Sequence, residues 1–276
     1  NFYPRQAHAT LMFSGFLWAF VAGFLMTAVP RMTQAGFAKL WEVLTAVALV
    51  AMTLLITLRQ ETQMLVGVLT LQSLFLFYFI LKRFLISRRI PFEGFLFVPF
   101  AFTHLFYGLL LFIQGNLGLF FLHSGEAFIL NLISGVGSRL IPVILRVPQA
   151  INPDQTTVHK KYGEYFLFAL FLNSTFLIQD FYSIQIGLFL RAFFIFVYSI
   201  THFKILKIPS SVTFNGWGLK ISSLFLFLGY FFAGVFPEYQ LSFLHLSYIG
   251  GFSLITLIIA TRVCLAHSGA GTEYEL

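Results

Sequence analysis

The stretch MLVGVLTLQSLFLFYFIL at residues 64–81 contains no charged side chain, and Lys82 and Arg83 follow it directly. The hydrocarbon core of a bilayer is about 30 Å thick, which an α-helix of about 20 apolar residues crosses. Backbone polar groups left unpaired in lipid are costly, so such a run predicts a helix that satisfies its own hydrogen bonds. The stretch therefore predicts a membrane-spanning α-helix, as in an integral membrane protein rather than a soluble enzyme.

The composition extends this prediction to the whole chain of 276 residues. Hydrophobic residues make up 58% and charged residues 10%, whereas about 25% of residues are charged in an average soluble domain. Phenylalanine occurs 38 times, and it suits lipid-facing and helix-packing positions because it carries no polar group. The net charge of +7 then indicates membrane orientation rather than a nucleic-acid partner. A single cysteine, Cys264, excludes an internal disulfide and a cysteine-based zinc or iron–sulfur site.

Apolar runs separated by charge, proline or glycine predict a single transmembrane domain of about nine helices over residues 1–276. The predicted spans are 7–29, 40–58, 64–81, 95–113, 117–136, 162–178, 184–203, 217–236 and 241–266. We expect Pro30 to end the first helix, and we expect the fifth to continue to Pro142. No helix looks broken. Asn1 stands where a methionine would start a chain, so we expect a preceding segment.

Lys and Arg residues are distributed unequally between the two sides of this helix arrangement. Fourteen of them fall on one side, two (Arg5 and Arg59) fall on the other, and Arg191 lies inside a helix. The positive-inside rule then predicts a multi-pass membrane protein with its N-terminus outside and its C-terminus in the cytoplasm. The fourteen are Arg31, Lys39, Lys82, Arg83, Arg88, Arg89, Arg139, Arg146, Lys160, Lys161, Lys204, Lys207, Lys220 and Arg262.

The predicted first, fifth and ninth helices resemble one another. Each has a histidine near its outer end, and glycine follows within two turns; the histidines are His8, His123 and His245. They are four helices apart, which suggests a four-helix pseudo-repeat with possible units 1–116, 117–240 and 241–276. Repetition around an axis would bring three histidines together at one depth, where small residues allow a helix or a flat cofactor to approach. We therefore predict that these histidines bind a cofactor or a metal.

Further polar residues belong to this candidate site. His104 lies near the middle of the fourth helix, and it is equally compatible with a metal ligand and with a structural partner of Thr103 or Tyr107. Glu126 follows His123 by three residues and is predicted to be its hydrogen-bonding partner rather than a direct ligand. Met12, one turn below His8, offers a thioether that suits copper. Two further histidines, His159 and His202, lie near lysines and are predicted to be solvated.

Three segments resemble motifs of the NnrS family. They are HATLMFSGFLWAFVAGFLMTAVPRMT at 8–33, GVGSRLIPV at 135–143 and HLSYIGGFSLITLIIATRVCLAHSG at 245–269. The matching histidines are His8, His245 and His267, and His123 matches less closely. The resemblance implies an inner-membrane protein with haem and copper, linked to bacterial nitric oxide metabolism and nitrosative stress. It also implies a helix bundle distantly like the main subunits of haem–copper oxidases.

Several functions remain open at this point. His8, His104, His123 and His245 would suffice for a bis-histidine haem, or for one haem ligand and a small copper site. Binding without turnover is preferred to catalysis, because Glu126 is the one carboxylate that stands out within the helices. A copper transporter or permease is the first alternative, and an accessory subunit of a respiratory oxidase complex is the second. The expected partners are the lipid bilayer, nitric oxide and respiratory-chain subunits.

Overall fold

The computed structural model describes residues 4–87, 92–147, 155–207 and 213–268. At residues 4, 155–158 and 266–268 the backbone alone is described. Within these ranges the protein is all helical, without a strand, and nine helices follow one another along the chain. The predicted all-α polytopic bundle is confirmed.

The nine helices lie close to the predicted spans. Three of them are composite: α1 joins Pro4–Thr10, a π-helical segment Leu11–Leu17 and Trp18–Thr33, while α5 joins Leu117–Phe120, the π-helical Phe121–Ala127 and Phe128–Ile144. The third is α9, which joins a 3-10 turn Pro237–Tyr239, Gln240–His245, the π-helical Leu246–Ser253 and Leu254–Ser268. The others are α2 (Leu40–Arg59), α3 (Thr62–Leu85), α4 (a 3-10 turn Glu93–Leu96, then Phe97–Ile113), α6 (Gln155–Phe181), α7 (Ile184–Thr201) and α8 (Phe214–Val235).

Eight of these described helices are long and apolar enough to cross a membrane, so the protein is a multi-pass membrane protein. The exception is α6, which is 27 residues long. Polar residues at Asn173, Ser174, Thr175, Gln179 and Asp180 interrupt its apolar run. The length of α6 matches a spanning helix, but its composition alone does not place it in the bilayer.

Polar side chains and left-handed residues set the ends of several helices. The Asn116 side chain accepts a hydrogen bond from the backbone of Leu119 at the start of α5, and Thr213 does the same for Gly216 in α8. The prediction that Pro30 ends the first helix is wrong, because α1 continues to Thr33 and stops at Gln34, whose φ is 53°. A proline removes only its own N–H bond, which membrane helices tolerate.

The chain divides into two compact units, and some helices contribute to both. Unit 1 comprises Asn1–Phe92 and Phe102–Ile129, and unit 2 comprises Glu93–Ala101 and Leu130–Leu276. In unit 1, α1, α2 and α3 pack on one another, and the π segment of α1 packs on that of α5. In unit 2, α8 packs on α7 and on the π segment of α9, while α6 packs on α7.

Candidate functional site

The three π-helical segments occur in the helices that the sequence relates to one another, α1, α5 and α9. π-helices are rare and frequently mark functional sites. Each segment contains glycine: Gly15 in α1, Gly125 in α5, and Gly250 with Gly251 in α9. The three segments therefore share a local geometry and a glycine content.

The three histidines occupy different places relative to these segments. His8 lies three residues before its π segment, His245 directly before its own, and His123 is the third residue within the segment of α5. Because each residue turns a helix by about 100°, the three side chains leave their helices in different directions. His8 is exposed, His123 is fully buried and His245 is partly buried.

The best-defined polar contact in unit 1 joins His104 of α4 to His123 of α5. Both side chains are buried, with 6% and 0% of their surface exposed. Their Nδ1 atoms are 2.8 Å apart, which is a hydrogen-bond distance. Two imidazoles inside a membrane helix bundle are costly unless they are paired, and here each ring supplies a partner to the other.

The two rings are nearly parallel, with an interplanar angle of 6° and centroids 4.9 Å apart. Rings stacked face to face would lie at the van der Waals separation of about 3.5 Å, which exceeds the Nδ1–Nδ1 distance of 2.8 Å. The rings therefore lie side by side, with Nδ1 facing Nδ1. One Nδ1–H donates and the other Nδ1 accepts, so a neutral donor ring carries its lone pair on Nε2.

Close backbone packing fixes the geometry around this pair. Tyr107 meets the ring of His123 edge-on, with centroids 4.7 Å apart. The hydroxyl of Ser124 donates to the carbonyl of Leu105 at 2.9 Å. A Cβ at Gly108 would collide with Ser124, 2.7 Å from its backbone nitrogen. Only glycine at this position therefore lets α5 approach α4 closely enough for the two imidazoles to meet.

The helix pair α8 and α9 of unit 2 repeats this arrangement. The hydroxyl of Ser247 donates to the carbonyl of Leu226 at 3.1 Å, and Gly229, three residues further on, has Ser247 where a Cβ would lie. When the two helix pairs are aligned on these contacts, Phe225 occupies the position equivalent to His104. Leu246 occupies the position equivalent to His123. His245 is one residue away from that place, so unit 2 has the packing motif without the histidine pair.

His245 makes a different contact, with its own helix. Its Nδ1 lies 2.8 Å from the carbonyl oxygen of Leu241. A carbonyl only accepts, so this nitrogen carries the proton, and a neutral His245 has its lone pair on Nε2. A histidine that donates Nδ1–H to a backbone carbonyl and presents Nε2 is common among metal ligands.

The remaining predicted site residues lie in varied surroundings. Glu126 is buried, with 3% of its surface exposed, and Met12 is partly buried on the π segment of α1. The side chain of His267 lies outside the described residues. His159 is exposed, as predicted. Among the side chains that the structure describes, no group of three or more His, Cys, Asp or Glu is placed to hold a metal ion.

The prediction that His202 is solvated is wrong. Only 7% of the residue is exposed, and its ring stacks on Tyr198 with centroids 4.4 Å apart. Tyr165 and Phe168 pack edge-on against it. Burial, with a contribution from Lys204, lowers the pKa of His202 to about 4, although Glu164 lies 3.5 Å from its Nε2. That carboxylate is half exposed and therefore screened, so the cost of burying charge dominates.

The sequence pattern that defines the NnrS protein family matches residues 1–275, which is essentially the whole chain. The chain belongs to the NnrS family. Membership supports a multi-pass membrane protein of the nitric oxide response. No curated protein and no solved structure matches the chain.

For this NnrS-family protein, sequence reasoning identified His104 and His123 separately and missed their contact. It also missed Gly108 and Ser124, which allow that contact. The sequence does contain a trace of this contact. Leu105 and Gly108 of α4, which precedes α5, recur as Leu226 and Gly229 of α8, which precedes α9. A glycine three residues after a leucine is too common to be recognised without the packing.

Proposed function

We propose that this NnrS-family protein binds haem within the membrane and serves the nitric oxide response by binding rather than by turnover. The observation that carries the proposal is the buried, hydrogen-bonded pair of His104 and His123. A neutral imidazole whose Nδ1–H is held by an acceptor presents Nε2, which is the form that coordinates metals. We further propose the bacterial inner membrane as its location.

The available donors suit haem better than a three-ligand metal site. A haem iron needs one or two axial side chains, and histidine is the commonest. Unit 2 by itself offers one imidazole of this kind, His245, whose Nδ1 is held by Leu241. His8, which is exposed, and Met12 are the donors most suited to copper, because a thioether favours it. We keep copper in the proposal as a second metal near α1.

The protein's own residues would position the ligand and exclude water. The partner Nδ1 fixes the orientation of the ligating ring, as outer partners of metal-bound histidines do. Tyr107 holds the ring of His123 from the side, and Ser124 holds α5 against α4. The apolar helices around the pair would keep water away. A bound haem would supply an iron that takes small diatomic molecules such as nitric oxide.

An absorption spectrum and a metal count of the purified protein test this proposal. The protein should be produced with an adequate haem supply and examined in wild-type form and as His104→Ala, His123→Ala and His245→Ala variants. We expect a haem Soret band in the wild type and its loss or displacement when a histidine that would hold the iron is removed. The matched control is His159→Ala, since His159 is exposed on α6.

Two results would contradict the proposal. The first is a wild-type preparation, correctly folded, that carries neither haem absorbance nor stoichiometric metal. The second is a spectrum that stays unchanged in all three variants, because the haem would then be held elsewhere. A direct ligand and its outer partner are also distinguishable: removal of the ligand changes the coordination bands, whereas removal of the partner shifts them and lowers haem affinity.

A further inference from the structure

A small cavity lies inside unit 2, between α5, α7 and α8. Its volume is about 10 Å³, close to the smallest space that holds one water molecule. Most of the lining is apolar, and the polar exceptions are Ser134, Tyr198 and Ser199. All three are buried.

Ser199 departs from the behaviour of other hydroxyl residues in these helices. A serine inside a helix usually donates to the carbonyl four residues earlier. Ser73 and Ser223 do so at 2.8 Å, and so does Thr201 in the same turn of α7. The Oγ of Ser199 is buried and has no protein partner, although the backbone four residues earlier is helical as well.

We propose that this cavity binds one ordered water molecule, hydrogen-bonded to the hydroxyl of Ser199. Leaving a buried hydroxyl without a partner costs more than immobilising a single water. Water in a protein cavity needs at least two polar partners. The carbonyl of Ser134 already accepts from the Tyr198 hydroxyl at 2.9 Å and from the next turn of its own helix. The second partner is therefore the hydroxyl oxygen of Tyr198, a residue that lines the cavity, because a phenol that donates its proton can still accept a bond.

This water would extend a polar contact that already joins two helices. Tyr198 of α7 bonds to Ser134 of α5, and the ring of Tyr198 stacks on His202. A water between the hydroxyls of Ser199 and Tyr198 would extend that contact by one more buried polar group. The site accepts a small uncharged molecule, since no ionised side chain lines it.

Hydroxyl-radical footprinting of the protein in lipid nanodiscs tests the proposal. An X-ray pulse makes radicals from water, and a buried side chain is oxidised only when a water lies beside it. We expect oxidation of Tyr198, which is 1% exposed, and none of Phe176, which is 0% exposed. In Ser199→Val, the label on Tyr198 should fall to the level of Phe176.

The matched control is Ser223→Val, which removes a buried hydroxyl that has its own backbone partner and should leave the Tyr198 label unchanged. The proposal fails if Tyr198 is as unreactive as Phe176 in the wild type, since the cavity is then dry. It also fails if Tyr198 is labelled equally in Ser199→Val. The wild-type comparison stands by itself even where a variant does not fold.

Discussion

At the scale of single residues, the pairing of His104 with His123 shows what a sequence leaves undetermined. Each is recognisable as a polar residue in an apolar helix, which is costly and therefore informative. Thr103 and Tyr107 were plausible partners because they are neighbours on the same helix. The actual partner lies 19 residues away, beyond a turn, and depends on how α4 and α5 rotate against each other.

His202 illustrates the opposite error. Nearby lysines at 204 and 207 suggested a solvated position, because charged residues cluster where water is present. The structure buries the ring among Tyr165, Phe168 and Tyr198. These aromatic residues lie on α6 and α7, and nothing in the spacing of a single sequence shows that they meet around one imidazole.

The buried position of His202 predicts that acid destabilises the protein. Its pKa falls from an ordinary 6.5 to about 4 on folding, so the unfolded chain binds the proton more tightly. The stability is complete above pH 6.5 and declines as the pH falls from 6.5 towards 4, by up to about 3 kcal/mol. The free energy of unfolding in bicelles, measured between pH 7.5 and pH 4, checks this.

Substitution separates His202 from the other groups that titrate in this range. His202→Phe should flatten the dependence on pH, since a neutral ring keeps the stacking on Tyr198 without taking up a proton. His159→Phe should retain the wild-type slope because His159 is exposed. If the unfolding free energy depends on pH equally in wild type and His202→Phe, burial does not determine the charge of this residue.

At the scale of helices, the contact between a glycine and a serine hydroxyl recurs in α4–α5 and α8–α9. We predict that Gly108→Ala and Gly229→Ala destabilise the protein by about 1–3 kcal/mol through overpacking. In both, the new Cβ would lie 2.7 Å from the backbone nitrogen of a serine. Gly67→Ala is the matched control because nothing lies within 4 Å of its Cβ position.

The Gly67→Ala control tests the sign of the change in unfolding free energy as well as its size. Alanine favours a helix over glycine by up to about 1 kcal/mol, so Gly67→Ala should be neutral or stabilising. Unfolding free energies of the three variants, measured under one set of conditions, give the comparison. If Gly108→Ala and Gly67→Ala behave alike, the close approach of α4 and α5 is not required for stability.

A second element-scale feature is the ion pair that holds the α1–α2 connection to α3. The Arg83 guanidinium donates to both carboxylate oxygens of Glu42, at 2.8 and 3.2 Å. It also donates to the carbonyls of Gly36 and Phe37, while Glu42 accepts from the Lys39 backbone at 2.7 Å. Both charged side chains are buried, with at most 6% exposed.

We predict that Arg83→Met destabilises the protein by about 3–5 kcal/mol, because it leaves a buried carboxylate without its partner. The double variant Arg83→Met with Glu42→Gln should recover part of the loss, since no charge then remains buried there. Lys82→Met serves as the control at the exposed neighbouring position. If the double variant instead loses as much stability as the two single variants together, the two residues act independently.

Helix identity could be predicted, but departures from regular geometry could not. Apolar length and charge located nine helices, most of them within a few residues, because the bilayer imposes both. The π segments depend on one extra residue per turn, which changes neither hydropathy nor length. Pro30 was mistaken for a helix end because a proline signal is local, whereas the helix is held by its neighbours.

At the scale of the whole molecule, charge asymmetry is the strongest topological signal, and the structure qualifies it. Fourteen cations were assigned to one side, yet Arg83 is buried in an ion pair and has a structural role as well. The composition of α6 is the other qualification, since eight described helices meet the criteria for spanning and α6 does not. The topology of the second half of the chain therefore depends on which side of the membrane the α6–α7 connection occupies.

Cysteine labelling can settle that question, because the one native thiol, Cys264, is removed by Cys264→Ser. Single cysteines replace Gln34 after α1, Gln114 after α4 and Tyr182 after α6, all at exposed positions. With the N-terminus outside, an impermeant maleimide should label Gln114→Cys in intact cells, and Gln34→Cys only after permeabilisation. If α5 and α6 both span, Tyr182→Cys should behave like Gln114→Cys.

The two possible errors in this topology give different results. Complete inversion would exchange the behaviour of Gln34→Cys and Gln114→Cys and leave Gln114→Cys and Tyr182→Cys alike. Failure of α6 to cross would instead place Tyr182→Cys with Gln34→Cys. Asn173 and its neighbours make α6 costly in lipid, but reciprocal hydrogen bonds at 3.0 and 3.1 Å join the buried amides of Asn131 and Asn173. That pairing removes the main cost of a polar group at membrane depth, so we expect α6 to cross.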